Sequence, residues 1–110
     1  MDKINPDYYK DKTSLECIDA MRIIFGDDAV VSFCICNAFT YIWRWKFKNG
    51  EEDLQKADWF LHALRRLDSE CVVIPEKYLE TSDRMANYVF RKLAEIESGR
   101  RKANGESKQV

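Results

Sequence analysis

Two breaks, Gly26-Asp27-Asp28 and Asn49-Gly50, cut the first half of this chain into segments of helical length, and the apolar residues between them recur at helical spacing. That punctuation constrains the fold more than any other feature. A chain broken after short turns into helices of 12 to 20 residues folds back on itself as antiparallel neighbours, and nothing here alternates strands with helices as a doubly wound fold would. The sequence predicts an all-α domain, a compact bundle of about four helices with a short extended connector and a disordered C-terminal tail.

The boundaries follow from capping chemistry. Thr13-Ser14-Leu15-Glu16 has the form of a capping box, in which the Thr13 hydroxyl accepts from the Glu16 amide and the Glu16 carboxylate reaches back to the cap. The first helix then buries Leu15, Ile18, Met21, Ile24 and Phe25 up to Gly26. The second runs from about Ala29 to Lys48. The third has Glu51, Glu52 and Asp53 in its first turn and Arg65 and Arg66 in its last, each sign at the helix end that favours it. Cys71-Val72-Val73-Ile74-Pro75 is expected to be extended or irregular, a connector, because a residue before proline avoids the helical region. Thr81-Ser82-Asp83 caps a fourth helix to about Glu97, closed by Gly99. Residues 1–99 therefore form one helical domain, and 100–110, polar and without periodicity, a disordered tail.

With 110 residues, 45% hydrophobic and 34% charged, the chain supports a single core. Eighteen basic against nineteen acidic residues leave a net charge of −1, so there is no global pull toward nucleic acid or anionic membrane, and an anion site has to be built locally. No apolar run reaches the ~20 residues of a membrane helix and the amino terminus has no signal-peptide core, so a cytoplasmic protein is expected. The four cysteines, Cys17, Cys34, Cys36 and Cys71, contain no CxxC pair, and His62, the sole histidine, has no ligand-like spacing to them. They are expected to be reduced thiols, most of them acting as small hydrophobes, with no metal site.

The second helix carries an unusual load. Phe33, Phe39, Trp43, Trp45 and Phe47 surround more of its circumference than a small bundle covers, which predicts a homo-oligomer. Between the aromatics Asn37, Tyr41, Arg44 and Lys48 stand four, three and four residues apart on one line. As a solvent strip this row is ordinary; as chemistry, it offers an amide, a phenol and a bidentate anion fork, suited to a nucleotide's polar edges and phosphates. Asp53 and Lys56, three apart just past the Asn49-Gly50 turn, can face the Arg44 end of it. Glu16 and Asp19 form a second pair at three-residue spacing, Glu16 being accounted for by the cap and Asp19 not; as a pair they suit Mg²⁺ or sugar hydroxyls. There is no phosphate-cradling glycine loop and no Ser/His/Asp set, so any transfer chemistry rests on positioned Arg and Lys.

Pro6-Asp7-Tyr8-Tyr9-Lys10, Glu16-Cys17-Ile18-Asp19, Asn37-Ala38 through Tyr41-Ile42-Trp43-Arg44, and Lys48-Asn49-Gly50-Glu51-Glu52-Asp53-Leu54-Gln55-Lys56-Ala57 recur in this order in a family of small tailed-phage proteins long described as of unknown function, which this chain resembles over about residues 5–65. One member is an early nucleotide kinase without a P-loop. The resemblance implies nucleotide binding, with phosphoryl transfer from a nucleoside triphosphate to a (deoxy)nucleoside monophosphate in a large homo-oligomer, Mg²⁺ entering with the nucleotide. It implies that Arg44, Lys48 and Lys56 neutralise phosphates, that Asn37 and Tyr41 read base or sugar, that Glu16, Asp19 and Asp53 orient cations or hydroxyls, and that Tyr9 and Lys10 belong to the nucleotide site. The family often has a histidine where Tyr8 stands and a lysine where Thr40 stands, departures that bear on transfer more than on binding. A nucleotide sponge that counters host signalling and a magnesium-dependent all-α pyrophosphohydrolase are the alternatives.

Overall fold

The structure, a computed structural model, describes residues 12–103, with side chains from Cys17 onward. Four helices form it: α1 (Lys12–Phe25), α2 (Asp27–Arg44), α3 (Glu51–Ser69) and α4 (Glu76–Ala103), with a single 3-10 turn, Trp45–Phe47, closing α2. No strand occurs among the described residues, and none of their helices is long and apolar enough to cross a membrane. The principal contact is α2 against α3; α4 lies along α3, and α1 packs chiefly on α2.

One stripe of α2 (Val30, Val31, Cys34, Ala38, Tyr41) meets one stripe of α3 (Leu54, Ala57, Phe60, Leu64, Leu67), all buried. Phe60 is the centre of this layer: Tyr41 stacks parallel to it at 6.1 Å, and Trp59 and Phe33 meet its edge at 5.0 and 5.7 Å. Truncating a buried Phe of this kind costs about 3–5 kcal/mol. Met85 and Val89 of α4, Val72 and Ile74 of the connector and Ile18 of α1 complete the core.

Several boundaries differ from the sequence expectation, each for a local reason. Helix α2 stops at Arg44 rather than Lys48, because the chain tightens into the 3-10 turn and Gly50 N–H bonds back to the Trp45 carbonyl at 2.9 Å. Helix α4 starts at Glu76, since the Pro75 carbonyl accepts from Tyr78 and Leu79; Thr81 lies inside the helix, its hydroxyl donating to the Lys77 carbonyl, so Thr81-Ser82-Asp83 is no cap. It also runs through Gly99 to Ala103, held by Arg100, which donates to Glu97 at 2.8 Å and to Glu51 of α3 at 2.6 Å. The first four residues assigned to the disordered tail are thus helical, and residues 104–110 lie outside the described residues. The same holds for the side chains of the Thr13–Glu16 capping box.

Helix α3 continues past Arg66 to Ser69 and ends in a two-bond C-terminal closure. Cys71 N–H bonds the Asp68 carbonyl and Val72 N–H the Leu67 carbonyl, both at 3.1 Å, with Cys71 at φ 67° where glycine is usual and Val72 buried beside Leu67. On α1, Ile18 is buried but Ile24 and Phe25, expected inside, are exposed. The α1–α2 corner projects beyond the core, and what meets there is polar: Arg22 bridges Asp27 and Glu70 at 3.3 and 2.8 Å. Gly26, at φ 94° and ψ 163°, makes the corner in a region essentially reserved for glycine. Of the four free cysteines only Cys34 is buried, so the view of most thiols as core hydrophobes holds for that one. Burial pushes its pKa to about 12, against the lowering effect of Arg66.

Candidate functional site

The joint between the end of α2 and the start of α3 gathers charge inside the protein. Asp53, in the first turn of α3, is fully buried. Its carboxylate accepts from Arg44 Nε at 3.2 Å and Nη2 at 3.5 Å, from the Asn49 backbone N–H at 3.3 Å and from Asn49 Nδ2 at 3.3 Å. Lys56 Nζ lies 3.8 Å away, its residue only 3% exposed. The Tyr41 ring closes the group: the Arg44 guanidinium carbon is 5.0 Å and Lys56 Nζ 5.5 Å from its centroid.

Local sequence explains the assembly. Tyr41 and Arg44 are one turn apart on α2, Asp53 and Lys56 one turn apart on α3, and the 3-10 turn with Gly50 brings the two pairs face to face. Asp53 occupies the third helical position, where a carboxylate commonly reaches back to free N–H groups; here it takes that of Asn49. Burial alone would raise the Asp53 pKa, but the hydrogen bonds from Arg44 and Asn49 outweigh it and hold the carboxyl below its ordinary value. Burial raises the Tyr41 phenol, with Arg44 opposing and Asp53 reinforcing the shift. The three charged side chains carry one net positive charge. Arg44 remains 34% exposed, and its Nη1 has no partner among the described residues.

Other predicted site residues fall elsewhere. Lys48 is exposed and has no hydrogen bond or ion pair among the described residues. Asn37 is two turns up α2 and donates to the Phe33 carbonyl at 2.7 Å, a local helical bond. Asp19 pairs with Arg66 at 3.1 Å near the other end of α3, about 20 Å along the helix from Asp53 at 1.5 Å per residue, so it does not reach the joint. Tyr9 and Lys10 lie outside the described residues, as does the Glu16 side chain. Asn49 belongs to the site and was read only as a turn residue; its four-residue spacing to Asp53 was the available signal. Among the described residues, no group of three or more His, Cys, Asp or Glu is placed to hold a metal ion. His62 is exposed on α3 with Nδ1 2.9 Å from the Asp58 carbonyl, an ordinary helical position.

A family model described as "Protein of unknown function (DUF3310)" matches residues 3–62, more than half of the chain. The chain belongs to this DUF3310 family. The matched region contains α1, α2 and α3 as far as His62, hence every residue of the charged joint, whereas α4 lies beyond it. No curated protein and no solved structure matches the chain.

Proposed function

We propose that this DUF3310 protein binds nucleotides, as its likeness to tailed-phage proteins implies, and that the exposed side of Arg44 is where it grips phosphate. One observation carries this: a buried carboxylate shared by two cations, leaving a net positive charge and an arginine fork with donors still to give. Asp53 holds the guanidinium in a fixed plane, which spares a ligand much of the entropy of ordering it. Lys56 is too buried to touch the ligand and contributes through its field. Tyr41, under both cations, restricts where they can move.

The finer reading, phosphoryl transfer from a nucleoside triphosphate to a (deoxy)nucleoside monophosphate with Mg²⁺ carried in on the nucleotide, rests on family likeness. Lys48, exposed and without a hydrogen bond or ion pair among the described residues, favours a second reading, binding without turnover, as in a sponge for a signalling nucleotide. Of three cations expected to neutralise phosphate, Arg44 alone is both at the joint and partly open to solvent. For the pyrophosphohydrolase alternative, Asp19 is paired with Arg66 at 3.1 Å, and the side chain of Glu16, its partner in that reading, lies outside the described residues. Self-association belongs to the same proposal and is supported by the exposed Phe39, Trp43 and Phe47 of the α2 segment.

Calorimetric titration with deoxynucleoside monophosphates and nucleoside triphosphates, followed by thin-layer separation of products, tests the proposal. Binding without diphosphate formation selects the sponge; diphosphate formation selects the kinase. Arg44→Ala should weaken affinity by about 2 kcal/mol or more, with Arg44→Lys in between. Absence of heat with every nucleotide refutes the proposal.

A further inference from the structure

A cleft of about 290 Å³ opens between α3 and α4 on the side of α3 away from the charged joint. Asp58, Leu61, His62 and Arg65 line it from α3, Asn87 and Phe90 from α4. Its contents are unlike a bare helix–helix groove. Phe90 places an aromatic ring there while remaining 72% exposed. Arg65 has no ion pair or hydrogen bond among the described residues. Nδ1 of His62 lies 2.9 Å from the Asp58 carbonyl and 3.4 Å from the Asp58 carboxylate, both acceptors, so in the tautomer that donates to them Nε2 is the acceptor.

We infer that this cleft is a second small-ligand site, taking an amino-bearing aromatic base that carries an anionic group, such as a purine or cytosine nucleoside monophosphate. The polar groups are ordered along α3 in the way such a ligand requires. The Asp58 carboxylate and His62 Nε2 offer acceptors for an exocyclic amine at one end. Arg65, about 10 Å along the helix from Asp58 and about 5 Å from His62 at 1.5 Å per residue, offers a fork for the anionic group at the other. Phe90 gives the ring a face to stack on, and Asn87 both a donor and an acceptor. The volume lies at the lower end of ligand pockets, about 300–1,000 Å³, which suits a monophosphate better than a triphosphate. The choice of a nucleotide as ligand rests on the proposed function; the cleft does not, because Asp58, His62 and Arg65 occupy the face of α3 opposite Asp53 and Lys56.

Amide NMR of the full ¹⁵N-labelled chain, titrated with adenosine monophosphate, uridine monophosphate and inorganic phosphate, tests this. Adenosine monophosphate should give saturable shifts at residues 58–65 and 86–90. Uridine monophosphate should bind there at least tenfold more weakly, and phosphate should leave the α4 amides unmoved. Phe90→Ala and Arg65→Ala, both at exposed positions, should each weaken these shifts tenfold or more, while Arg44→Ala leaves them intact. Shifts confined to residues 41–56 would overturn this inference and leave the Arg44 proposal standing. Shifts confined to the cleft would do the reverse. Cleft shifts that persist in both Phe90→Ala and Arg65→Ala would also overturn it.

Discussion

Replacing Asp53 by asparagine keeps the shape of the buried joint and removes its only negative charge. Two cations are then left beside the Tyr41 ring without a counter-charge between them, and one of them, Lys56, is only 3% exposed. Breaking a buried pair by removing one partner costs about 3–5 kcal/mol, because an uncompensated charge remains. Asn49 loses an ionic acceptor for two donors as well, though the new amide oxygen can keep one of them. We expect Asp53→Asn to lower unfolding stability by about 4 kcal/mol, a large part of the ~5–15 kcal/mol typical of a small domain. Arg44→Ala, at a partly exposed position where Asp53 keeps Asn49 and Lys56, should cost about 1.5–3 kcal/mol, the worth of a hydrogen bond to a charged group. Urea unfolding followed by tryptophan fluorescence reads both. The decisive construction is Asp53→Asn with Lys56→Met, which removes both buried charges and should recover at least half of the loss. A single Asp53→Asn within about 1 kcal/mol of the parent, or a double variant no better than the single, would refute the account of Asp53 as the charge that holds α2 to α3.

The acid limb of the stability curve follows from the same residue. Its folded pKa lies below the unfolded value of about 3.9, so its contribution is fully present above that pH and is lost as the pH falls through the folded pKa; Asp53→Asn should flatten this part of a pH titration of the urea midpoint. Cys71→Gly should raise stability by about 0.5–1 kcal/mol in thermal or urea unfolding, because it removes a side chain from a left-handed position without touching the closing bonds. Light scattering at micromolar protein should return a mass well above 13.0 kDa, and Phe39→Glu with Trp43→Glu should reduce it; a monomer mass for the parent would refute self-association.

Sequence and structure agree best where one physical cue acts alone. Gly26 and Gly50 mark the starts of α2 and α3 because the backbone there takes positive φ that few other residues tolerate, although α2 itself already ends at Arg44. Tyr41, Arg44, Asp53 and Lys56 could be placed together because a short turn leaves two adjacent helical turns nowhere else to go. The helix ends that were missed had competing cues. Cys71 closes α3 in a role that glycine would advertise, and Thr81-Ser82-Asp83 has the composition of a cap yet lies a turn inside a helix that Pro75 had already started. Gly99 resembles a stop, but Arg100, bound to Glu51 across the bundle, carries the helix past it.

What periodicity could not supply was the distribution of charge between partners. The polar line on α2 reads as a row of free ligands, and in the folded chain its strongest member is half spent: Arg44 gives two donors to Asp53, and Asn37 gives one to its own helix. This alters what the line can do. An arginine free in solvent would bring charge but no fixed direction; one anchored by a buried carboxylate is weaker as a charge and better as a shape, since its plane is set before a ligand arrives. The balance is tipped by Lys56. With Asp53 matched to Arg44 alone the joint would be neutral and would only hold two helices together. Lys56, 3% exposed and 3.8 Å from the carboxylate, leaves the group with one net positive charge, and the proposed anion site rests on that charge.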